Sequence, residues 1–489
     1  MRRFLALLPI LALALAPAAC RDQPKGAVKV VVIGGEPRLR DPSEGPLTAP
    51  DEVLLQNVAQ GLVGFDAGGN IVPGLAERWN VSDDGLSYIF RIASTEWSDG
   101  RKVTAQQVAR LLKRQLAASS RNSLKDTLGA VQDVVAMTDR VIEIQLIAPR
   151  PNLLPLLAQP EFAIVRGGFG TGPFQYSPTG EKDGELKLSR SLASGDDDET
   201  TEHEEVLLLG EKAENAVSDF IAGKSDLVLG GSFADVRIAQ GSKVSRGAIR
   251  FDPASGLFGL MPLKGGGGLD DPDLRRLLSE AVDRDRFVAA LGVPNLAPRA
   301  TLLEPGLDGI SAPTAPAWLA TPLVDRLPNL QAQVNRMFGR TGKPAIRIAL
   351  PEGPGADLLL RELTLDWGAL GFTVERAASP AAADFALIDE VAPSTSAAWF
   401  VRRFRCGSAP VCDAEVSAVL DSARTAPVPA QRYALLAQAA AKIDEDQLFI
   451  PLTAPVRWSL VSKRIQGFGG NRYARHTLTG LEQSPGGGE

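Results

Sequence analysis

Histidine and cysteine are nearly missing from this 489-residue chain, which carries 2 of the former and 3 of the latter. A metal centre built on several histidines is therefore excluded, and a zinc or iron–sulfur site needing several cysteines nearly so. Tyrosine is scarce (4 residues), so any binding surface has few phenols to offer. An excess of basic charge is also missing. Lys and Arg number 52 against 58 Asp and Glu, for a net charge of −6, which argues against nucleic acid as a partner. No long apolar run follows residue 20, so nothing there reaches the ~20 helical residues that cross a bilayer. What is present is ordinary for a globular protein: 44% hydrophobic and 22% charged residues. At ~100–200 residues per domain, the length accommodates about two to four domains.

Residues 1–20 read MRRFLALLPILALALAPAAC. Arg2 and Arg3 form a basic start, and Phe4 to Ala19 is apolar but too short to span a membrane, which describes an export signal. Ala18-Ala19-Cys20 resembles the lipobox of bacterial lipoproteins, with Pro17 where Leu is usual. The expectation is a periplasmic protein lipidated on Cys20 and tethered to a membrane surface; ordinary cleavage near the alanines is the alternative. Cys406 and Cys412 remain, in RCGSAPVC. In an oxidising compartment they are expected to pair, with Gly407 and Pro410 suiting the tight turn between them. A redox pair is the alternative, but it lacks CxxC spacing.

Along the chain, Val28–Ile33 reads as a buried strand, 56–63 as a helix and 74–91 as a hairpin around Ser82-Asp83-Asp84-Gly85. Thr104 with Gln107 forms a capping box opening a helix to about Ala117. Residues 141–147 alternate as a half-buried strand. Residues 191–205, SLASGDDDETTEHEE, read as a solvated acidic loop, and 265–268 as a flexible glycine break. One helix is expected from Asp271 to Leu291, with Pro272 in its first turn. Residues 215–222, 358–370, 414–424 and 429–445 read as helices. Residues 227–229, 346–350, 385–388, 448–452 and 457–461 read as strands, and 484–489 as a disordered tail. Strands interleaved with helices argue an α/β architecture.

Several enzyme patterns fail on one residue each. Gly223-Lys224-Ser225 ends a phosphate loop, but Ser218 stands where its first glycine is needed. Gly168-Phe169-Gly170 meets Pro173 where a dinucleotide fingerprint has its third glycine. His203-Glu204 has Leu207 where a zinc helix has its second histidine. His203 lies in the acidic run and His476 near the C-terminus, so neither neighbourhood reads as a closed hydrolytic site.

Residues 55–116 are more informative. They contain, in order, QGLVGFD, IVPGLAERW, SDDGLSYIFRI, WSDG and VTAQQV. Gly170-Thr171-Gly172-Pro173-Phe174, Gly223-Lys224-Ser225-Asp226-Leu227, DPDLRRLLSEAVDRDRFV (271–288) and QRYALLAQAAAKIDEDQLFIPL (431–452) follow. This series resembles the family 5 extracellular solute-binding proteins, the periplasmic receptors of peptide, opine and nickel ABC importers. The resemblance implies an α/β, two-lobed periplasmic-binding-protein fold of the large peptide-binding type II class with an inserted domain. It implies lobe one at 27–48, 165–258 and 450–489, the inserted domain at 49–164 and lobe two at 259–449. Ligand would lie between the lobes and be captured by hinge closure.

Two regions depart from the family. Its Asn-Pro-x-Tyr-Trp segment is replaced by the acidic run. Its Trp-x-x-Asp stretch, with a nearby carboxylate for the peptide amine, becomes DEVAPSTSAAWFVRRFRCGSAPVC. Asp389 and Glu390 are the nearest acids. Trp399, Arg402, Arg403 and Arg405 stand in place of the motif, and guanidinium groups suit a carboxylate or phosphate. A solvated basic loop beside the cysteines is the plainer alternative. Arg457 and Trp458 are the second candidates, although a tryptophan there serves equally as core. The candidate ligand residues are thus Trp399, Arg402, Arg403, Arg457, Trp458 and Asp389.

The function expected is non-enzymatic: a monomeric receptor, without cofactor or metal, delivering a small peptide-like solute to an ABC permease. A receptor-like lipoprotein without an importer, acting in sensing or partner binding, is the alternative, and a secreted His-dependent hydrolase is a third.

Overall fold

The computed structural model describes residues 26–180, 182–193, 201–263, 268–339 and 342–483. The segment read as an export signal, with Cys20, the 484–489 stretch read as a tail and most of the expected glycine break lie outside them.

A seven-stranded sheet runs in the order β12-β18-β11-β1-β10-β9-β8. Its strands are β1 (Val28–Ile33), β8 (Gln175–Pro178), β9 (Leu186–Ala193), β10 (Thr201–Glu211), β11 (Leu227–Ser232), β12 (Ile249–Phe251) and β18 (Arg457–Val461). A five-stranded sheet, β15-β14-β16-β13-β17, comprises β13 (Gly256–Pro262), β14 (Ala345–Ala349), β15 (Thr373–Arg376), β16 (Phe385–Val391) and β17 (Ile450–Thr453). The third sheet, β4-β5-β7-β6, is antiparallel, built of β4 (Ala76–Val81), β5 (Ser87–Ile92), β6 (Val131–Thr138) and β7 (Val141–Leu146), with β7 lying between β5 and β6. Two small ribbons pair β2 (Val63–Phe65) with β3 (Ile71–Pro73), and β19 (Ile465–Gln466) with β20 (Glu482–Gln483).

Helices α1 (Ala49–Val58) and α4 (Ala213–Ile221) lie against the first sheet, and α2 (Ala105–Leu116) against the third. The short α3 (Leu153–Leu157) follows the third sheet, and α5 (Val236–Gln240) leads toward the crossing. The second lobe carries α6 (Pro272–Glu280), α7 (Arg284–Leu291), α8 (Leu323–Phe338), α9 (Pro354–Ala369), α10 (Ala397–Arg402), α11 (Ala414–Thr425) and α12 (Pro429–Glu445).

The chain passes from the first sheet to the second at 252–255 and returns at 454–456. β13 and β17 pair with each other, so the two crossings run side by side as a hinge. The expected boundaries at 258/259 and 449/450 fall differently: β13 starts at Gly256 and β17 at Ile450, and both belong to the second sheet.

Four local expectations are corrected. The helix read at 56–63 is α1, which starts earlier. Thr48 and Asp51 cap it reciprocally and Pro50 sits in its first turn. Gly61 lies beyond its end, where a Cβ would come within 2.5 Å of the Leu157 carbonyl. Val53, Leu54 and Val58 share a core with Val30 and Val32, so 49–58 packs with the first sheet rather than with the insertion. The insertion's own core runs from Leu62 to Ile164. The single helix expected at 271–291 is α6 and α7, because the Asp283 side chain accepts from Arg286 N at 2.9 Å and caps a new start. The acidic run is not all loop: β9 and β10 pair up to Ala193 and Thr201, with Arg190 meeting Glu204 across the ladder at 2.6 Å. Residues 194–200 lie outside the described residues.

The Thr104–Gln107 box forms, with bonds of 3.3 and 3.4 Å. Gln107 also accepts from Trp97 Nε1 at 3.0 Å, which ties the WSDG turn to α2 and makes that tryptophan structural. Cys406 and Cys412 are joined as a disulfide.

Candidate ligand-binding cleft

A cavity of about 520 Å³ lies where the two lobes and the insertion meet. Lobe one contributes Glu52, Arg457, Arg475 and His476, the insertion Ser123 and Glu161, and lobe two Asp389, Glu390, Trp399, Arg402 and Arg403. Contacts across the rim tie the insertion to lobe two. Gln159 Nε2 donates to the Pro393 carbonyl at 2.9 Å, Asn152 Nδ2 to Thr395 Oγ1 at 2.9 Å and Arg150 Nη2 to the Arg424 carbonyl at 3.1 Å. Arg475 Nε donates to Gln159 Oε1 at 3.0 Å, so the chain of bonds runs through all three units.

Asp389, Trp399, Arg402, Arg403 and Arg457 are thus brought to one cavity; Trp458 is not. It is 1% exposed and lies over Gly231, with Nε1 donating to the Ser232 carbonyl at 2.8 Å. Strand alternation is the reason: on β18, Arg457 turns to the cleft and its neighbour to the core.

The charges are unequal in their partners. Asp389 sits on β16 and accepts from Arg457 Nη1 at 2.8 Å. Burial raises its pKa, with Arg457 pulling the other way. Arg403 pairs with Glu390 and Arg405 with Asp421, outside the cavity wall. Arg402 differs from them. Its Nη1 is buried without a hydrogen-bond partner among the described residues, and burial lowers the guanidinium pKa to about 10. Trp399 is buried beside it, edge-on to Phe400.

A second constellation escaped sequence reasoning. Arg475 pairs with Glu52 and, at 3.4 Å, with Glu161. Burial raises Glu52 to about 7, Glu161 adds to this and Arg475 opposes it. Burial works against the Arg475 charge, but the two carboxylates prevail and raise its pKa. His476 is also part of the wall, not of a loose tail: it is 8% exposed and its Nε2 lies 3.1 Å from Asp252 Oδ2, in the first crossing. The available signal was NRYARH (471–476), dense in polar and aromatic side chains without helix or strand period.

Two lobes, a double crossing and a cleft between them define the architecture of the periplasmic binding proteins. The family model for bacterial extracellular solute-binding proteins, family 5 (middle), matches residues 70–330. A "probable di/tripeptide-binding protein 5" of Pseudomonas aeruginosa (strain UCBPP-PA14) is 23% identical over 86% of this chain and 88% of its own length. A "probable deoxycholate-binding periplasmic protein YgiS" of Escherichia coli (strain K12) is 29% identical over 26% of each chain, so that match spans about a quarter of the relative. The crystal structure of Haemophilus influenzae OppA with RPPGFSPFR superposes with a TM-score of 0.79 at 18% identity, covering 94% of this chain and 100% of that one. The chain belongs to family 5 of the bacterial extracellular solute-binding proteins.

Proposed function

We propose that this protein is the substrate-binding component of an ABC importer and that its cleft takes a small peptide-like solute through a carboxylate. The observation that carries the ligand class is Arg402. The other cleft guanidiniums, Arg403, Arg457 and Arg475, each pair with carboxylates, whereas Arg402 Nη1 is buried with no hydrogen-bond partner among the described residues. A buried guanidinium N–H without an acceptor is costly, Asp126 and Glu390 oppose the Arg402 charge without an ion-pair contact among the described residues, and a ligand carboxylate would supply the missing acceptor in charge-assisted, forked geometry. The cavity volume lies in the ~300–1,000 Å³ range of small-molecule sites. Trp399 forms an apolar wall beside the fork. The bound solute would bridge the lobes, and its binding energy would go into closure rather than into a chemical step. In this reading the protein acts as a monomer, with lipid on Cys20 keeping it at the membrane that holds the permease.

The test is calorimetry with di- and tripeptides alongside their C-terminal amides, after removal of co-purifying solute. Free acids should bind and amides should lose at least tenfold in affinity. Equal binding of both forms, or binding of neither, would reject the carboxylate reading.

A further inference from the structure

A second cavity, about 840 Å³, lies in lobe two between α12 and the 309–318 segment that straps over it. Its walls are largely apolar. Leu303, Pro313 and Trp318 line one side, and Tyr433, Ala434 and Ala437 on α12 line the other. The strap is seated firmly: Gly309 has φ +66°, and a Cβ there would come within 2.0 Å of the Tyr433 ring.

The polar groups gather where α12 ends. The Asp444 carboxylate accepts from Leu302 N at 2.8 Å, and no cation pairs with it among the described residues. Burial in this apolar setting pushes its pKa up to about 7. Gln447 is 4% exposed and is held in the left-handed region at φ 46°. Its Nε2 donates to the Asp444 carbonyl, and its Oε1 is buried with no hydrogen-bond partner among the described residues. The neighbouring cations are committed elsewhere. Arg276 pairs with Asp273 at 2.8 Å and with Glu280 at 3.7 Å. Arg275 donates to the carbonyls of Asp446 and Leu269, at 3.0 and 2.6 Å.

The cavity therefore presents an unpaired carboxylate and an orphaned amide oxygen within apolar walls, at the negative end of a helix dipole. An ammonium group carries several N–H donors and no acceptor, and complements both. We propose that this cavity is a second binding site, separate from the interlobe cleft, for an organic ammonium ion with an apolar body. Charge-assisted bonds to Asp444 and Gln447 would hold the head, while Trp318, Tyr433 and the alanine face of α12 would cover the body.

The probe is phenethylamine at pH 8, where Asp444 is ionised, with 2-phenylethanol and 3-phenylpropionate as shape-matched controls. Calorimetry and melting temperature on the full protein should show amine binding, with both controls at least tenfold weaker. Asp444→Asn keeps an acceptor for Leu302 N and should weaken the amine at least tenfold. Ala437→Phe, at an exposed position of the cavity wall beside Tyr433 and Ala434, should narrow the space for the amine's apolar body and weaken binding without loss of fold. Three results would overturn the proposal: no amine binding to the wild-type protein, alcohol binding as tight as the amine's, or undiminished amine affinity in Ala437→Phe. Should Asp444→Asn fail to fold, the alcohol comparison and Ala437→Phe decide alone.

Discussion

Arg457 reaches from β18 in one lobe to Asp389 on β16 in the other, donating Nη1 to Oδ1 at 2.8 Å and Nη2 to the backbone carbonyl at 2.9 Å. Both side chains are largely buried, at 20% and 16% exposure, beside the return crossing. The pair is a fastener between lobes, so Asp389 is engaged before any ligand amine arrives. Truncating one partner strands the other charge. Asp389→Ala should therefore cost about 3 kcal/mol in urea denaturation. The double variant Asp389→Leu with Arg457→Met should cost less than that single change, and equal or greater loss would contradict the reading.

Arg402 should behave in the opposite sense. Without ligand, its buried Nη1 has no hydrogen-bond partner among the described residues, so Arg402→Met removes that cost and keeps most of the apolar stem. The ligand-free variant should be more stable by about 1 kcal/mol. Its affinity for free-acid peptides should fall by about 10- to 100-fold, the worth of one or two charge-assisted bonds. A melting temperature that drops together with peptide affinity would make Arg402 structural.

These two arginines also show what the sequence could disclose. The cluster at 399–403 stood out because it replaces the family's Trp-x-x-Asp stretch; local spacing alone did not bring Trp399, Arg402 and Arg403 to one wall, as the fold does. Elements with strong local signals were equally legible: the helix 429–445, the strand 457–461 and the Thr104 box. The error at Trp458 was one of face, since Arg457 and Trp458 adjoin on a strand and must point apart. The helix read at 271–291 broke because Asp283 bonds to a backbone amide within its own helical run, and such a residue competes with helix continuation. The Glu52, Glu161 and Arg475 group draws on three distant segments, and only the fold brings them together. No local pattern carries that information.

Trp458 should prove to be a core residue. Gly231 lies against its indole, where a Cβ would stand 2.3 Å from the ring. Gly231→Ala should cost about 1–3 kcal/mol through overpacking. Trp458→Phe should cost about 1 kcal/mol or more, since the Ser232 carbonyl loses its donor. Peptide affinity, measured by calorimetry well below the melting temperature, should stay within about twofold for Trp458→Phe. A tenfold loss would return this side chain to the ligand site.

The titration of Glu52 sets a pH dependence whose sign follows from its environment. Its folded value, about 7, lies above the ordinary 4.5, so the folded protein holds this proton more tightly than the unfolded chain does. Between those values unfolding releases a proton, and stability falls as pH rises across the window. Asp444 acts in the same direction from 3.8 to about 7, and the two share no hydrogen-bond partner. Each contributes on the order of 3–4 kcal/mol of lost stability by pH 8. Burial also raises Asp235, Asp366 and Asp389, which steepens the acidic side of the profile. The difference between variant and wild type is therefore the decisive quantity. Glu52→Gln removes the titrating group while leaving Arg475 opposite Glu161. Relative to wild type it should gain stability steadily from about pH 4.5 to 7 and level off above. Urea midpoints at half-unit steps of pH measure this directly, and parallel profiles for the two proteins would place the Glu52 proton outside the folding equilibrium.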